Sequence, residues 1–341
     1  FMVRADGSER VNLTRTRDAN ELYPHVSPDG TRVCFVVDAG EGENTVRGVW
    51  CMNLDGTDRR LVARDGRDPC WTADGRGIVY LKSEFERFTA MDFATKGVVV
   101  HDLATGRDQS HPNADLQHLY CIGATPDGKW YLSTVHAGMG FAHGILAIQA
   151  QGSQVFNLKI PGCRSDVSPD GKRIAWASGD YSLAIGELDF SGPERRVVNP
   201  HDILVSPKPM KIQHIDWSPD GRYVAFSRGP YKKGLGLAPS LIGIQAPGWD
   251  ICVGDPSTTN RWVAITTDGK SNLPLVLLLN ENSASTTEIV SAAMKDLGRA
   301  TLVGTKTFGK GIIQYVMGLS DGKSGFQFTS AQYFSPKGNK V

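Results

Sequence analysis

The sequence predicts a mainly β protein: a six-bladed β-propeller whose sixth blade is incomplete, followed by a shorter segment of α/β grammar. Three observations carry this. A strand-turn-strand unit recurs five times, a second hairpin follows it inside each unit, and the repetition stops at residue 272, where apolar runs begin to alternate with a helical stripe.

The repeated unit reads HVSPDGTRVCFVV from His25, CWTADGRGIVYLK from Cys70, GATPDGKWYLSTV from Gly123, DVSPDGKRIAWAS from Asp166 and DWSPDGRYVAFSR from Asp216. In Ser-Pro-Asp-Gly the proline presets the first turn dihedral, the aspartate can bond the backbone ahead of it, and the glycine takes a conformation that a Cβ disfavours. The runs that follow, such as Arg173-Ile-Ala-Trp-Ala, are short and rich in β-branched or aromatic residues, as strands buried between stacked sheets should be. The turn aspartates Asp29, Asp74, Asp127, Asp170 and Asp220 stand 45, 53, 43 and 50 residues apart, the length of one four-stranded blade.

The second hairpins start at Val49, Val98, Ile145 and Leu183, and the fifth unit ends with one from Trp249. The chain opens with FMVRADGSERVNLT, an outer pair without its inner pair, so its start is expected to close the ring. On these motifs the stretch from Phe1 to residue 272 resembles the TolB-like propellers. That resemblance speaks to fold and little to function, because propellers serve as binding platforms, enzyme scaffolds and gates alike. His25, His111, His118, His136, His143 and His214 are candidates for a central channel, with ordinary hydrogen-bonded strand-end histidines as the plainer reading. The stretch from Gly229 to Gly248 reads as an inserted loop.

Bulk properties narrow the function classes. Lys+Arg number 37 against Asp+Glu 36, a net charge of +1, which argues against a nucleic-acid partner. No run approaches the eighteen or so apolar residues of a membrane span. The chain starts at Phe1 without a basic-then-apolar leader, so an export signal is expected to have been removed or never included. Six widely spaced cysteines with no CxxC or Cys/His ligand spacing point to buried small hydrophobes, with no metal or other cofactor expected.

From Leu273 the grammar is α/β. Leu275 to Leu279 is expected to be a strand covered on both faces, and Thr286 to Leu297 a helix with Ile289, Ala292, Ala293 and Met294 on one stripe before Gly298. Ala300 to Gly304 and Ile312 to Met317 read as further strands. Ser285 falls at the strand-to-helix junction, where the first helical N–H groups face any anion formed beside it, a position suited to a nucleophile. A serine hydroxyl needs a base, and no histidine follows Leu273. Lys310, in a Gly-Lys-Gly turn, is the candidate, since a lysine in a desolvated pocket loses proton affinity and can act as general base.

The segments Asn280-Glu-Asn-Ser-Ala-Ser-Thr-Thr-Glu-Ile, Asp296-Leu-Gly-Arg-Ala, Val303-Gly-Thr-Lys-Thr-Phe-Gly-Lys-Gly and Gln314 resemble, in order and spacing, the C-terminal processing (tail-specific) serine peptidases. That resemblance implies a Ser-Lys dyad with Ser285 as nucleophile, Lys310 as base and Gln314 orienting the lysine amine; the 25-residue spacing selects Ser285 over Ser283. Thr286-Thr287 stands where the family usually has Ala-Ser.

Two other motifs are weaker. Gly304 to Lys310 fits GxxxxGK, but Gly311 replaces the Mg²⁺-binding Ser/Thr and a strand-like run follows. Gly318-Leu-Ser-Asp-Gly fits GxSxG by letter but sits between two strands, where a hairpin turn explains it.

The expected organisation is therefore a TolB-like propeller over 1–272 and a partial α/β serine-peptidase core over 273–341, with no nucleic-acid partner and no membrane span in this chain expected, and it resembles the tricorn-like propeller-peptidases. In a complete peptidase of this kind a PDZ domain and the first half of the core precede the serine strand; here propeller text runs up to the seam. The implied function is hydrolysis of polypeptides, with the propeller as substrate-access or binding platform and a periplasmic or secreted location. The rival is a non-catalytic propeller that binds protein or peptide partners. Oligomeric state is not readable from the sequence.

Overall fold

The computed structural model of the protein describes residues 1–4, 7–16, 18–230, 248–266, 275–297, 300–320 and 323–340. They belong to two compact units, Phe1–Lys270 and Ser271–Val341. Most of the expected loop between Gly229 and Gly248, and the seam at residues 272 and 273, lie outside the described residues.

The described residues of the first unit form five four-stranded antiparallel sheets, each built from strands consecutive in sequence. They are β1 (Ala19–Val26), β2 (Arg32–Ala39), β3 (Val46–Asn53) and β4 (Arg60–Arg64); β5 (Gly66–Trp71), β6 (Gly77–Ser83), β7 (Thr95–Asp102) and β8 (Asp108–Ser110); β9 (Leu119–Ala124), β10 (Trp130–Gly138), β11 (Phe141–Gln149) and β12 (Val155–Asn157); β13 (Cys163–Val167), β14 (Arg173–Gly179), β15 (Ser182–Asp189) and β16 (Arg196–Val205); and β17 (Met210–Trp217), β18 (Val224–Pro230), β19 (Asp250–Gly254) and β20 (Trp262–Ala264). Each sheet is one sequence unit, and the first strand of each packs beside the first strand of the next.

The hairpin turns form as their residues dictate. In all five the aspartate accepts a hydrogen bond from the hydroxyl two residues before it, from Ser27 (2.5 Å), Thr72 (2.7 Å), Thr125 (2.6 Å), Ser168 (2.5 Å) and Ser218 (2.6 Å). The same hydroxyl accepts the N–H that opens the second strand, for example Ser168 from Arg173 at 2.9 Å. The turn glycines take φ between 66 and 71°, which a side chain would resist.

Core clusters join consecutive sheets. Val79, Leu81 and Val98 of the second sheet pack with Leu119, Leu146 and Ile148 of the third, and Leu132 and Ile145 of the third with Ile174 and Trp176 of the fourth. A polar clamp reinforces two further joints, first to second sheet and fourth to fifth. The Arg32 guanidinium lies 4.7 Å from the Trp71 ring centre and donates to the Gly75 carbonyl at 2.8 Å; Arg173 does the same to Trp217 (4.5 Å) and Gly221 (2.8 Å). All six cysteines are free and four are buried.

Ahead of the first sheet, Met2 and Val11 exchange two backbone hydrogen bonds of 2.8 Å. A Cβ at Gly7 would fall 2.6 Å from the Ile265 carbonyl oxygen beyond β20, while Leu13 packs onto the first sheet. The N-terminal stretch thus touches both the first and the fifth sheet.

The first strands share a feature that the turn motifs do not signal. Each carries a bulge with one non-glycine residue at positive φ: Tyr23 (52°), Asp68 (41°), Cys121 (51°), Arg164 (54°) and His214 (49°). Bulges of this kind re-aim a side chain out of the regular alternation. Of the candidate channel histidines, His25 and His214 line a central cavity with four of these residues. His111 instead bonds the Gln149 carbonyl (2.9 Å) and His118 that of Ala137 (2.8 Å), as the plainer reading has it.

In the second unit, β21 (Leu275–Leu279) and β22 (Ala300–Gly304) pair in parallel across helix α1 (Thr286–Asp296), and β23 (Ile312–Gly318) and β24 (Gly325–Gln332) form an antiparallel pair. Two expectations need correction. The strand Leu275–Leu279 is not covered on both faces: Val276 and Leu278 are 51% and 79% exposed, while Leu277 and Leu279 are half-buried. Parallel strands become doubly buried only when helices and further strands flank them, and among the described residues β21 has one partner. In α1 the apolar stripe is only half-buried, and the two buried residues are polar, Glu288 and Ser291. The helix start is held by hydrogen bonds more than by apolar packing.

Candidate active site

The site is made by two turns that follow the parallel strands. After β21, Ser283 closes a small turn: its N–H donates to the Asn280 carbonyl (2.9 Å) and its hydroxyl accepts the Asn280 N–H (3.1 Å). Ser285 is the residue before the helix, with φ 55° and ψ −115°. That backbone is sparsely populated for a residue with a side chain, and such strain persists only where the surroundings over-determine it. Strand, sharp strained turn and helix is the arrangement that presents a nucleophile at the top of a sheet. The Thr286 N–H, the first of the helix, makes no hydrogen bond among the described residues.

After β22, Gly304 passes so close to β21 that a Cβ would lie 1.8 Å from the Leu279 carbonyl oxygen, and its φ is 138°. Only glycine fits. The turn from Thr305 to Lys310 is then tied to the first turn by the Phe308 N–H to the Ser283 carbonyl (3.0 Å), the Thr305 hydroxyl to Glu281 (3.1 Å), and above all by Glu288.

Glu288 is 4% exposed and sits in the first turn of α1. Its Oε2 accepts the N–H of Ser285 and the N–H of Lys310, both at 2.8 Å, and its Oε1 accepts the N–H of Gly309 at 2.6 Å. Burial works against its charge, but the Thr307 hydroxyl and these three N–H donors outweigh it and hold its carboxyl below the ordinary glutamate range. Sequence reasoning missed this residue. Its signal was present as Ser285-Thr-Thr-Glu288, a serine at the helix cap with a glutamate three residues on.

The three residues expected at the site are thus placed as follows. Ser285 and Lys310 are brought together at the backbone by a shared oxygen. Their side chains are not: no hydrogen bond joins the Ser285 hydroxyl to the Lys310 amine, and Lys310 is exposed rather than enclosed in a desolvated pocket. Gln314 is also exposed and accepts from the Gln327 side chain across the β23–β24 pair at 2.9 Å, not from Lys310.

The GxxxxGK motif from Gly304 forms this irregular turn and leads into β23, not into a helix. Part of the GxSxG motif, Asp321-Gly322, lies outside the described residues. Among the described residues no group of His, Cys, Asp and Glu could hold a metal ion, and no helix is long and apolar enough to cross a membrane.

Residues 241–341 match Peptidase family S41. The carboxyl-terminal-processing protease of Synechocystis sp. is 46% identical over 74 residues, covering 22% of this chain and 17% of that protein. The chloroplastic carboxyl-terminal-processing peptidase 3 of Arabidopsis thaliana is 52% identical over 68 residues, 20% of this chain and 13% of that protein. The chain therefore matches less than a fifth of the length of these relatives. TolB from Acinetobacter baumannii shares the fold of the first unit's region, with a TM-score of 0.54 and 18% identity over 77% of this chain and 58% of TolB.

Proposed function

From a C-terminal segment of the S41 type joined to a TolB-like propeller, we propose a serine endopeptidase that hydrolyses polypeptides through Ser285 and Lys310. The observation that carries the reading is Ser285 itself: a strained residue at a strand-to-helix turn, whose backbone shares a Glu288 oxygen with Lys310.

In this reading the Ser285 hydroxyl attacks the scissile carbonyl and its proton passes to the Lys310 amine, acting as general base. The developing oxyanion takes the free Thr286 N–H at the positive end of α1. Lys310 returns the proton to the leaving amine, the acyl group stays on Ser285, and water deacylates it by the same path. Gln314 orients the amine once its bond to Gln327 is exchanged. The place of Ser283 in the Asn280 turn, where its hydroxyl accepts the Asn280 N–H, favours Ser285 over it as nucleophile.

The propeller reads as six-bladed, with the N-terminal hairpin between the fifth and first sheets supplying part of the sixth blade, and as the platform that admits or presents substrate. The family resemblance favours a periplasmic or secreted location. One observation favours the non-catalytic alternative, the exposed Lys310 side chain.

Hydrolysis of an unfolded protein such as casein by the full chain decides between them. Ser285→Ala and Lys310→Ala are each expected to remove activity, with unchanged circular dichroism. Activity surviving either change sinks the dyad, and no activity in the unmodified chain favours the binding module.

A further inference from the structure

Two of the six cysteines face each other inside the first sheet. Cys34 on β2 and Cys51 on β3 stand directly opposite in the antiparallel register, 0% and 2% exposed. Both project into the same core cluster, with Val36, Val49, Ile78 and Tyr80. No other two cysteines among the described residues are matched across a strand pair.

The hydrogen-bond phase of the ladder decides whether opposite side chains can be bridged. The Leu54 N–H donates to the Thr31 carbonyl at 2.9 Å, so the position just outside the strand pair is a hydrogen-bonded one. Arg32 and Asn53, the next pair inward, turn their backbone groups away from each other: the Arg32 carbonyl accepts the Ser27 N–H at 2.8 Å, and the Asn53 N–H donates to the Thr57 carbonyl at 2.9 Å. The two kinds of pair alternate along an antiparallel ladder, so Val33 and Met52 form a hydrogen-bonded pair and Cys34 and Cys51 do not. In a pair of that second kind the Cα atoms lie about 4.5 Å apart and the side chains approach more closely. A disulfide spans Cα separations of roughly 4.4–6.8 Å. The same phase and face recur four residues along, where Asp38 stands opposite Arg47, and there the side chains do meet, with Arg47 Nε 2.6 Å from Asp38 Oδ1.

Burial sets when a bond between the two sulfurs can form. Enclosure first, then the Cys70 and Cys51 thiols, raises the Cys34 thiol well above its ordinary value, and burial raises that of Cys51. A thiol reacts as its thiolate, so in the finished fold both are poor nucleophiles and are shielded from an oxidant. The reaction therefore belongs to folding, after β2 and β3 have paired and before the second sheet covers them. Only residues 40–45 connect the two strands, so their hairpin is a local structure that closes early.

We propose that Cys34 and Cys51 are joined by a cross-strand disulfide that staples the central hairpin of the first sheet when the chain folds in the presence of a small-molecule disulfide such as glutathione disulfide. One cysteine thiolate attacks a sulfur of the oxidant, forming a mixed disulfide and expelling one glutathione thiolate. The second cysteine thiolate attacks the protein-side sulfur and expels the other. Two protein thiols are oxidised, one glutathione disulfide is reduced to two thiols, and the protons given up by the cysteines are taken up by the two leaving thiolates. Cys70, on β5 and in a different core cluster, is the competing partner, and its own cross-strand neighbour is Val79. The inference concerns the first sheet alone and is independent of the serine–lysine chemistry.

The test is cell-free synthesis of the full chain with glutathione disulfide in one arm and dithiothreitol in the other, followed by labelling of free thiols with N-ethylmaleimide in denaturant, trypsin digestion and mass spectrometry. Cleavage after Arg32, Arg47 and Arg59 places the two cysteines on separate peptides, residues 33–47 and 48–59. These two peptides linked to each other in the oxidised arm support the proposal. Both peptides labelled there, or Cys34 linked to any other cysteine, overturns it. The two cysteines are 17 residues apart in sequence, and a disulfide closing a loop of that size is expected to lower the unfolding constant about 100-fold. Urea unfolding of the oxidised chain should show that difference before and after reduction, and Cys34→Ser should show none. A linked chain whose urea midpoint does not move on reduction overturns the staple. The peptide mapping uses the unmodified chain, so it decides even where Cys34→Ser does not fold.

Discussion

Ser285 and Lys310, 25 residues apart in sequence, donate their backbone N–H groups to the same atom, Oε2 of Glu288, each at 2.8 Å. Their nitrogens therefore lie no more than twice that distance apart. A single carboxylate fixes the nucleophile's turn and the base's turn as one piece, although neither side chain touches it.

This makes Glu288 a positioning residue. Glu288→Gln keeps the shape but has one acceptor oxygen where three N–H groups need two, and hydrogen bonds to a charged group contribute about 1.5–3 kcal/mol. If that loss falls on the alignment of the pair, hydrolysis slows by about 10- to 100-fold, at ~1.4 kcal/mol per factor of ten. The expected signature is a fall in kcat with KM little changed, together with faster amide exchange at Gly309 and Lys310. Unchanged kcat would mean the tie is only structural.

Ser285 stores strain, with φ 55° and ψ −115°. Glycine adopts this backbone freely and alanine does not. Both Ser285→Gly and Ser285→Ala are expected to be inactive, but the glycine variant should be more stable than the alanine variant by about 1 kcal/mol. Chemical denaturation of the two, followed by a probe in the second unit, checks the order.

The arginine clamp between sheets should be measurable at Arg173. Its guanidinium stacks 4.5 Å over Trp217 and bonds the Gly221 carbonyl at 2.8 Å. Arg173→Ala is expected to cost about 2–4 kcal/mol, the sum of a stacked cation and one charged hydrogen bond. Arg173→Lys should recover only part of this, because the ammonium lacks the planar face. Urea midpoints for the two variants give the comparison.

Stability should respond to pH with opposite signs in two places. Asp29 and Asp220 are held at about 2, chiefly by the Ser27 and Ser218 hydroxyls. Their stabilising effect is present above the ordinary aspartate value of 3.8 and is lost as pH falls through about 2. Asp68, raised to about 6 first by burial, binds its proton more tightly folded than unfolded, so its contribution declines as pH rises from 3.8 to about 6. Asp68→Asn is therefore expected to flatten the fall in melting temperature across that window, whereas Asp220→Asn should lower it at pH 7 and leave it nearly unchanged near pH 2.

The sequence by itself determined what rests on local chemistry. Ser-Pro-Asp-Gly turns with apolar β-branched runs can form little else, so five hairpin units, their outer pairs and the strand-helix-strand order after residue 272 were all legible, as was Ser285 at the helix start. Tertiary structure alone decided what rests on residues distant in sequence. The bulge that turns Tyr23, Asp68, Cys121, Arg164 and His214 out of the strand alternation depends on register with a neighbouring strand. The exposed face of β21 depends on which strands flank it, and the role of Glu288 on a turn 21 residues further along the chain. Periodicity reports which residues are apolar; burial of a carboxylate with three N–H donors is set only when the two turns meet.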